Sequence, residues 1–146
     1  MPTSLLFHNL TSLVTLDLSN NQFDSMLPTW LFNMSSLQYL NIQLNHFQGS
    51  IPDAFENMTS LEIIQLRKNK LLGGVPQSIG KLCNLRTPDL SSNNITDDVC
   101  ILAKISGEYA GGTLETLNLR GNNLTGNLSD WLAHFKELTL LDLSNN

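Results

Sequence analysis

The chain has 146 residues, 41% hydrophobic and 14% charged, with a formal net charge of −5. That acidic balance excludes the broad basic face a general nucleic-acid binder needs and the polybasic surface of a membrane-adsorbed protein. No apolar run approaches the roughly 18 residues that cross a bilayer, and two cysteines are too few to frame a disulfide-held miniprotein.

The opening stretch, MPTSLLFHNL, lacks the basic start of a secretion signal, and His8 and Asn9 break its apolar run. Residues 1–12 read as the tail of a partial unit. From Leu13 a template begins, L-x-x-L-x-L-x-x-N-x-L, usually followed by x-G-x-[IVL]-P. Its copies start at Leu13, Leu37, Leu61, Leu85 and Leu114, and a partial copy covers 138–146. The steps are 24, 24, 24, 29 and 24 residues, so LDLSNN at 16–21 and again at 141–146 is the same part of two units. A repeat of this period predicts one solenoid domain over 1–146. We expect an α/β-type repeat: short parallel strands on a concave face, an irregular, 3₁₀ or short-helical convex side, and a right-handed superhelical curve.

The physical reading runs through each unit in the same order. The x-L-x-L-x core alternates with period two, which makes a short strand with its leucines inward. The Asn at position nine (Asn21, Asn45, Asn69, Asn93, Asn122, Asn146) follows the strand where the chain must turn. Its amide has two donors and an acceptor, enough to satisfy backbone groups the bend would leave unpaired. Gly-x-[IV]-Pro at 49–52 and 73–76 predicts a second bend and an extended stretch. Leu31, Phe55, Ile79 and Leu132 then close the core from the convex side. Trp30 and Trp131 share one repeat phase, which reads as packing rather than an aromatic binding box.

The fourth unit departs from the template. Pro88 replaces a strand leucine in LRTPDL, removing a backbone donor from a central strand. The unit is also five residues longer, which reads as an extra surface loop. Its GEYAGG lacks the Gly-Lys-Ser/Thr ending of a phosphate loop. Asp97 and Asp98 read as a solvated turn. Cys83 and Cys100 fall within one solenoid turn, as a disulfide or as two buried thiols. His8, His46 and His134 are scattered and make no metal site with them. The serines sit in repeat phase with no histidine regularly on their face, so no nucleophile, base and orienter converge. The chain reads as non-enzymatic, with neither metal nor cofactor.

Sequons for N-glycosylation occur at Asn9, Asn33, Asn57, Asn94, Asn123 and Asn127, and the first three share one phase. That density favours a glycosylated ectodomain over chance. With these residues on the page, the resemblance is plain. Units of 24 with LxGxIPxxxxxLxxL, together with LDLSSNNITDD, LCNLRT and LPTWLFNMSSL, resemble the plant extracellular leucine-rich repeat receptor-like proteins, including those of disease-resistance type. The resemblance implies end caps, further repeats, a transmembrane helix and a location at the outer face of the plasma membrane or in the apoplast. None of those segments is found in these 146 residues, so we expect a piece of a larger receptor or a truncated product. In relatives the longer unit carries its own cysteine near its end, and SGEYAGGT has none.

The resemblance also implies a function. A peptide, protein or glycan elicitor would bind the concave face and signal through a partner co-receptor kinase in defence. The residues that break the D-L-S-x-N monotony of that face are Tyr39, Gln43, Gln65, Arg67, Lys68 and Arg120, and they are the candidate contacts. Two alternatives use the same repeats: a secreted inhibitor of a pathogen cell-wall hydrolase, and the ectodomain of a receptor kinase in development.

Overall fold

The computed structural model describes residues 10–101, 105, 112–128 and 130–146. Each unit opens with a three-residue strand: β1 Thr15–Asp17, β2 Tyr39–Asn41, β4 Ile63–Gln65, β6 Thr87–Asp89, β8 Thr116–Asn118 and β9 Leu140–Asp142. Between them lie the short strands β3 Gln48–Ser50, β5 Lys70–Gly73 and β7 Asn94–Ile95. The unit-opening strands form one parallel sheet in the order β1-β2-β4-β6-β8-β9. Its register preserves the repeat phase, with Leu16 opposite Leu40 and Leu40 opposite Ile64. Period-two alternation therefore stacks one apolar column inward, and Leu40, Ile64 and Leu117 are fully buried.

Each strand ends in the same way. The residue at position eight takes a left-handed backbone: Asn20, Leu44, Lys68, Ser92 and Asn145 have φ between 53 and 60°, and Gly121 has 64°. That bend turns carbonyls away from the ladder, and the next Asn collects them. The Asn69 side chain donates to the carbonyl of Ile42 in the preceding unit and of Leu66 in its own, both at 3.0 Å. Its Oδ1 accepts the N–H of Phe47 at 3.0 Å. Asn45, Asn93, Asn122 and Asn146 repeat this three-way bonding one unit at a time. The ladder expected from the sequence is thus a chain of bonds that joins each unit from Leu37 onward to the one before it.

The second sheet was not expected. β3, β5 and β7 pair in parallel, in that order, where the sequence predicted only a bend and an extended stretch. These strands are two to four residues long, and β3 and β5 carry glycines that weaken any strand signal. The glycines are needed because Gly49 and Gly73 have φ of 82 and 76°, where a side chain would be strained. After this sheet come Pro28, Pro52 and Pro76, each extended and each followed at once by a five-residue 3₁₀ turn, Thr29–Asn33, Asp53–Asn57 or Gln77–Lys81. Proline suits the start of such a turn because an N–H there would have no partner. Leu31, Phe55 and Ile79 on these turns are buried, as expected, whereas Leu132 on the outermost turn Asp130–His134 is 40% exposed.

The fourth unit differs for two physical reasons. Leu66 and Leu90 both donate forward to the next strand, to the Asp89 and Asn118 carbonyls. Alternate residues of a parallel strand donate to the same neighbour, so position four donates forward as well, and Pro88 has no N–H to give. The β6–β8 pairing accordingly shrinks to Asp89 opposite Asn118, while β4–β6 keeps three rungs. The longer segment is more than a surface loop: Ile101 and Ile105, four residues apart and both helical, are buried in the core. Residues 107–111 of the Gly-rich stretch lie outside the described residues, as do His8 and Asn9 and the side chain of Trp131. Trp30 is partly buried against the core.

One buried polar atom stands out. Among the described residues, Ser78 Oγ is the buried side-chain atom without a hydrogen-bond partner, at 3% residue exposure. The same repeat position holds Ala54 one unit earlier. Removing an unsatisfied buried hydroxyl recovers its desolvation cost of about 1 kcal/mol. Ser78→Ala should therefore stabilise the chain, read as a higher urea midpoint with an unchanged slope.

Candidate functional site

The outward residues of the six-stranded sheet divide into scaffold and departures. At position five, Asp17, Asn41, Asp89, Asn118 and Asp142 each turn a side-chain Oδ1 onto the backbone N–H two residues later, at 2.9 to 3.2 Å. These are Asx turns that close the strand end. Their phase is explained by folding, with one side-chain oxygen of each held in its own turn. Gln65 holds the same position, but no bond of this kind is seen there; its side chain is one methylene longer.

The Asx turns have a pH consequence. Asp17 is held below its ordinary value near 3.8 by the Ser19 backbone N–H. Asp142 is lowered by the Ser144 hydroxyl and N–H, with help from Arg120, and Asp98 by the Cys100 backbone N–H. A carboxyl whose pKa falls on folding stabilises the fold above its unfolded pKa. That contribution is lost as pH drops through the folded value. The thermal midpoint should be flat from pH 6 to 8 and should fall below about pH 4. Asp17→Asn should keep the turn, as Asn41 and Asn118 do, and should reduce the acid sensitivity.

The structure distributes the candidate contacts along the strand face. Tyr39 lies in β2 between Thr15 and Ile63, half-buried, and Gln65 ends β4. Gln43, also half-buried, shares position seven with Arg67 on the next rung, whose carbonyl accepts the Leu44 N–H. Arg67, Lys68 and Arg120 are exposed. Ser91 and Ser92 separate Arg67 and Lys68 from Arg120, because Lys68 donates to the Ser91 carbonyl and Ser92 to that of Arg120. The basic residues therefore form a column along one edge of the sheet, away from Tyr39.

Other candidates fall elsewhere. Asn33 and Asn57 end two of the 3₁₀ turns, and Asn94 lies in β7 with Asn123 bonded beside it through the Ile95 carbonyl. These four and Asn127 are exposed, and none lies on a strand of the six-stranded sheet. Cys83 and Cys100 are both at the surface and no disulfide joins them, so they are neither bridged to one another nor buried. Cys83 occupies the polar turn position that Ser35 and Thr59 hold in earlier units, which explains its exposure. Asp97 is not a solvated bystander: its carboxylate accepts the Val75 N–H at 3.0 Å and the Asp98 N–H at 2.9 Å. A Cβ on Gly74 would lie 2.5 Å from that carboxylate, so the glycine makes room for it. An apolar recess of about 450 Å³ opens at the first turn, lined by Leu16, Leu18, Phe23, Leu27, Trp30 and Ile42 among others. Among the described residues no three His, Cys, Asp or Glu side chains group as metal ligands, and no helix is long and apolar enough to cross a membrane.

Parallel unit-by-unit stacking, an asparagine ladder and short 3₁₀ turns define a repeat solenoid with a broad strand face, a fold that typically serves as a non-catalytic binding module. Family models described as leucine-rich repeat match residues 4–47, and residues 60–82 and 113–135. The chain belongs to the leucine-rich repeat family. No curated protein matches it in sequence.

Solved structures match along nearly the whole chain. It is similar to the ectodomain of the Arabidopsis thaliana membrane receptor kinase GASSHO1/SCHENGEN3, solved with CASPARIAN STRIP INTEGRITY FACTOR 2. Identity there is 36% with a TM-score of 0.88, over 96% of this chain and 16% of that one. It is similar to the plant peptide hormone receptor RGFR1 in complex with RGF2, at 32% identity and a TM-score of 0.88, over 96% and 22% of the two chains. It is also similar to the Arabidopsis receptor kinase HAESA, in complex with the peptide hormone IDA and the co-receptor SERK1, at 31% identity and a TM-score of 0.82, over 94% and 22%. The chain thus spans about a fifth of the length of these receptors or less.

Proposed function

We propose that this chain is a stretch of the extracellular recognition region of a plant receptor, taking a peptide or protein ligand on the face of its six-stranded sheet and signalling through a partner co-receptor kinase. The observation that carries the reading is the division of that face. Its repeated acids and amides each hold one oxygen in an Asx turn, while Tyr39, Gln43, Gln65, Arg67, Lys68 and Arg120 break the pattern. Aromatic and arginine side chains supply a large share of interface energy. The exposed sequon asparagines Asn33, Asn57, Asn94, Asn123 and Asn127 lie off this sheet, so sugars there would leave its face open. The sequence resemblance to disease-resistance receptor-like proteins supports a defence role. A second reading, the ectodomain of a receptor kinase in development, is favoured by the peptide hormones in the matched complexes.

The test is a binding scan on the secreted chain with panels of elicitor and hormone peptides. Alanine at Tyr39, Gln43 or Arg67 should weaken binding at least tenfold. Alanine at Glu56 or Lys81, an exposed ion pair on the 3₁₀ side, should leave it unchanged. Losses confined to the 3₁₀ side would overturn the assignment of the face. Reading the transcript on both sides then separates a kinase-bearing receptor from one with a short tail.

A further inference from the structure

We infer that the backbone N–H of Arg67 is an anchor point for the ligand, and that it takes a carbonyl oxygen of a peptide backbone. The inference rests on the proposed recognition role and specifies one contact and the chemistry that meets it. It starts from a gap in a series. In five units the N–H at position seven, that of Ser19, Gln43, Ser91, Arg120 or Ser144, is held by the side-chain oxygen two residues earlier. In the unit that opens at Leu61 the residue two earlier is Gln65, and among the described residues the Arg67 N–H has no acceptor.

The direction of that donor is set by its neighbours. Leu66 and Lys68 donate to the Asp89 and Ser91 carbonyls of the next rung, so the N–H between them stays out of the ladder. In the other five units the acceptor for this N–H is an outward side chain of the strand face. The uncapped N–H therefore opens on that face, at an exposed residue, beside the half-buried Gln65 and Gln43. The Arg67 carbonyl, by contrast, is in use: it accepts the Leu44 N–H at 2.9 Å and the Asn69 amide at 3.5 Å.

An open donor selects what covers it. In the free chain water satisfies it at little cost. A ligand that buries it under an apolar group leaves it unpaired and loses about tenfold in affinity. A ligand that brings a carbonyl there keeps the bond. Asp89 lies opposite Gln65 on the next strand and would repel an acid, so a neutral carbonyl fits where a carboxylate does not. The Gln43 and Gln65 side chains each offer donors and an acceptor, which suits the neighbouring N–H and C=O groups of the same peptide. Closing the gap separates this contact from the loss of a side chain. Asn41 and Asn118 cap the same position in their own units, so Gln65→Asn supplies the missing acceptor. Gln65→Ala supplies none and leaves the N–H open.

The experiment uses the whole chain and peptides selected for binding to it from a displayed random twelve-residue library. In the free protein the Arg67 amide should exchange with solvent about tenfold faster than the capped amides of Gln43 and Ser91. Gln65→Asn should slow that exchange, raise the urea midpoint and weaken the selected peptides about tenfold. Gln65→Ala should leave their affinity within about threefold. Bound peptide should slow exchange of the Arg67 amide in the unsubstituted chain. An Arg67 amide as protected as its capped counterparts overturns the inference, as does a Gln65→Ala variant that binds no better than Gln65→Asn. A selection that yields no binder overturns it too. An oligosaccharide that shows the Asn-below-Ala order while the peptides are indifferent to it overturns the peptide class. If the peptides lose affinity with Tyr39→Ala or Gln43→Ala but not with Gln65→Asn, the anchor is wrong and the recognition role of the face stands. If no substitution on the face weakens them, both fail.

Discussion

Asn69→Ala should cost about 3 kcal/mol of stability, a large share of the 5–15 kcal/mol typical of a whole domain. The magnitude follows from what each partner keeps. The Ile42 carbonyl still accepts from Asn45, and the Leu66 carbonyl still accepts from Asn93. Those losses are ordinary hydrogen bonds, worth about 1 kcal/mol each. The Phe47 N–H is different, because Asn69 Oδ1 is its acceptor and the site is buried. An orphaned buried donor adds about 1–3 kcal/mol. Asn21 supplies the control: among the described residues it bonds the Leu18 and Ser19 carbonyls of its own unit, and it is exposed. Asn21→Ala should cost under about 1 kcal/mol. Equilibrium urea unfolding of both variants reads the difference. Equal costs would mean that the ladder follows the fold rather than holding it. Stability in stacked repeats is carried between neighbours, so damage at Asn69 also uncouples the units on either side.

How far the sequence could be read depends on which residues carried the signal. The main sheet was legible because its leucines are spaced at period two inside a period of 24, and both numbers are visible without coordinates. The ladder was legible because an amide with donors and an acceptor recurs at the one place where backbone groups must be bent out of the sheet. The second sheet was not legible. Gln48, Lys70 and Asn94 begin strands of two to four residues, too short for any alternation to announce pairing. The burial of Ile101 and Ile105 was hidden by their place in an insertion, where the repeat no longer says which residues face inward. A four-residue spacing was the available sign. On the strand face, Gln43, Gln65, Arg67 and Arg120 are candidates because they depart from a pattern. That Asp17, Asp89 and Asp142 belong to the scaffold was legible in the phase they share with Asn41 and Asn118, and the hydrogen bonds show how they serve it. The exposure of Cys83 was open to inference from Ser35 and Thr59, which share its phase.

Phe55→Ala should be as damaging as the ladder variant or more so, at about 3–5 kcal/mol, whereas Leu132→Ala at the same repeat position should cost little. Phe55 is fully buried and meets Phe32 edge to face with ring centroids 5.2 Å apart. Its removal loses transfer free energy, leaves a cavity between two 3₁₀ turns and breaks an aromatic pair worth about 0.5–1.5 kcal/mol beyond its area. Leu132 lies on the outermost turn and is already 40% exposed, so truncation there leaves no enclosed cavity. Measured together, the pair tests whether repeat position or stacking neighbours set the energy. A template that fixed energy by position would give the two variants similar costs. Stacking predicts a large gap, because the same side chain is worth more when a turn covers it on both sides. Thermal unfolding of both variants, with midpoints read by far-ultraviolet circular dichroism, decides it. A gap of less than about 1 kcal/mol would show that the turn carrying Leu132 is covered in solution, by a second copy or by another part of the chain.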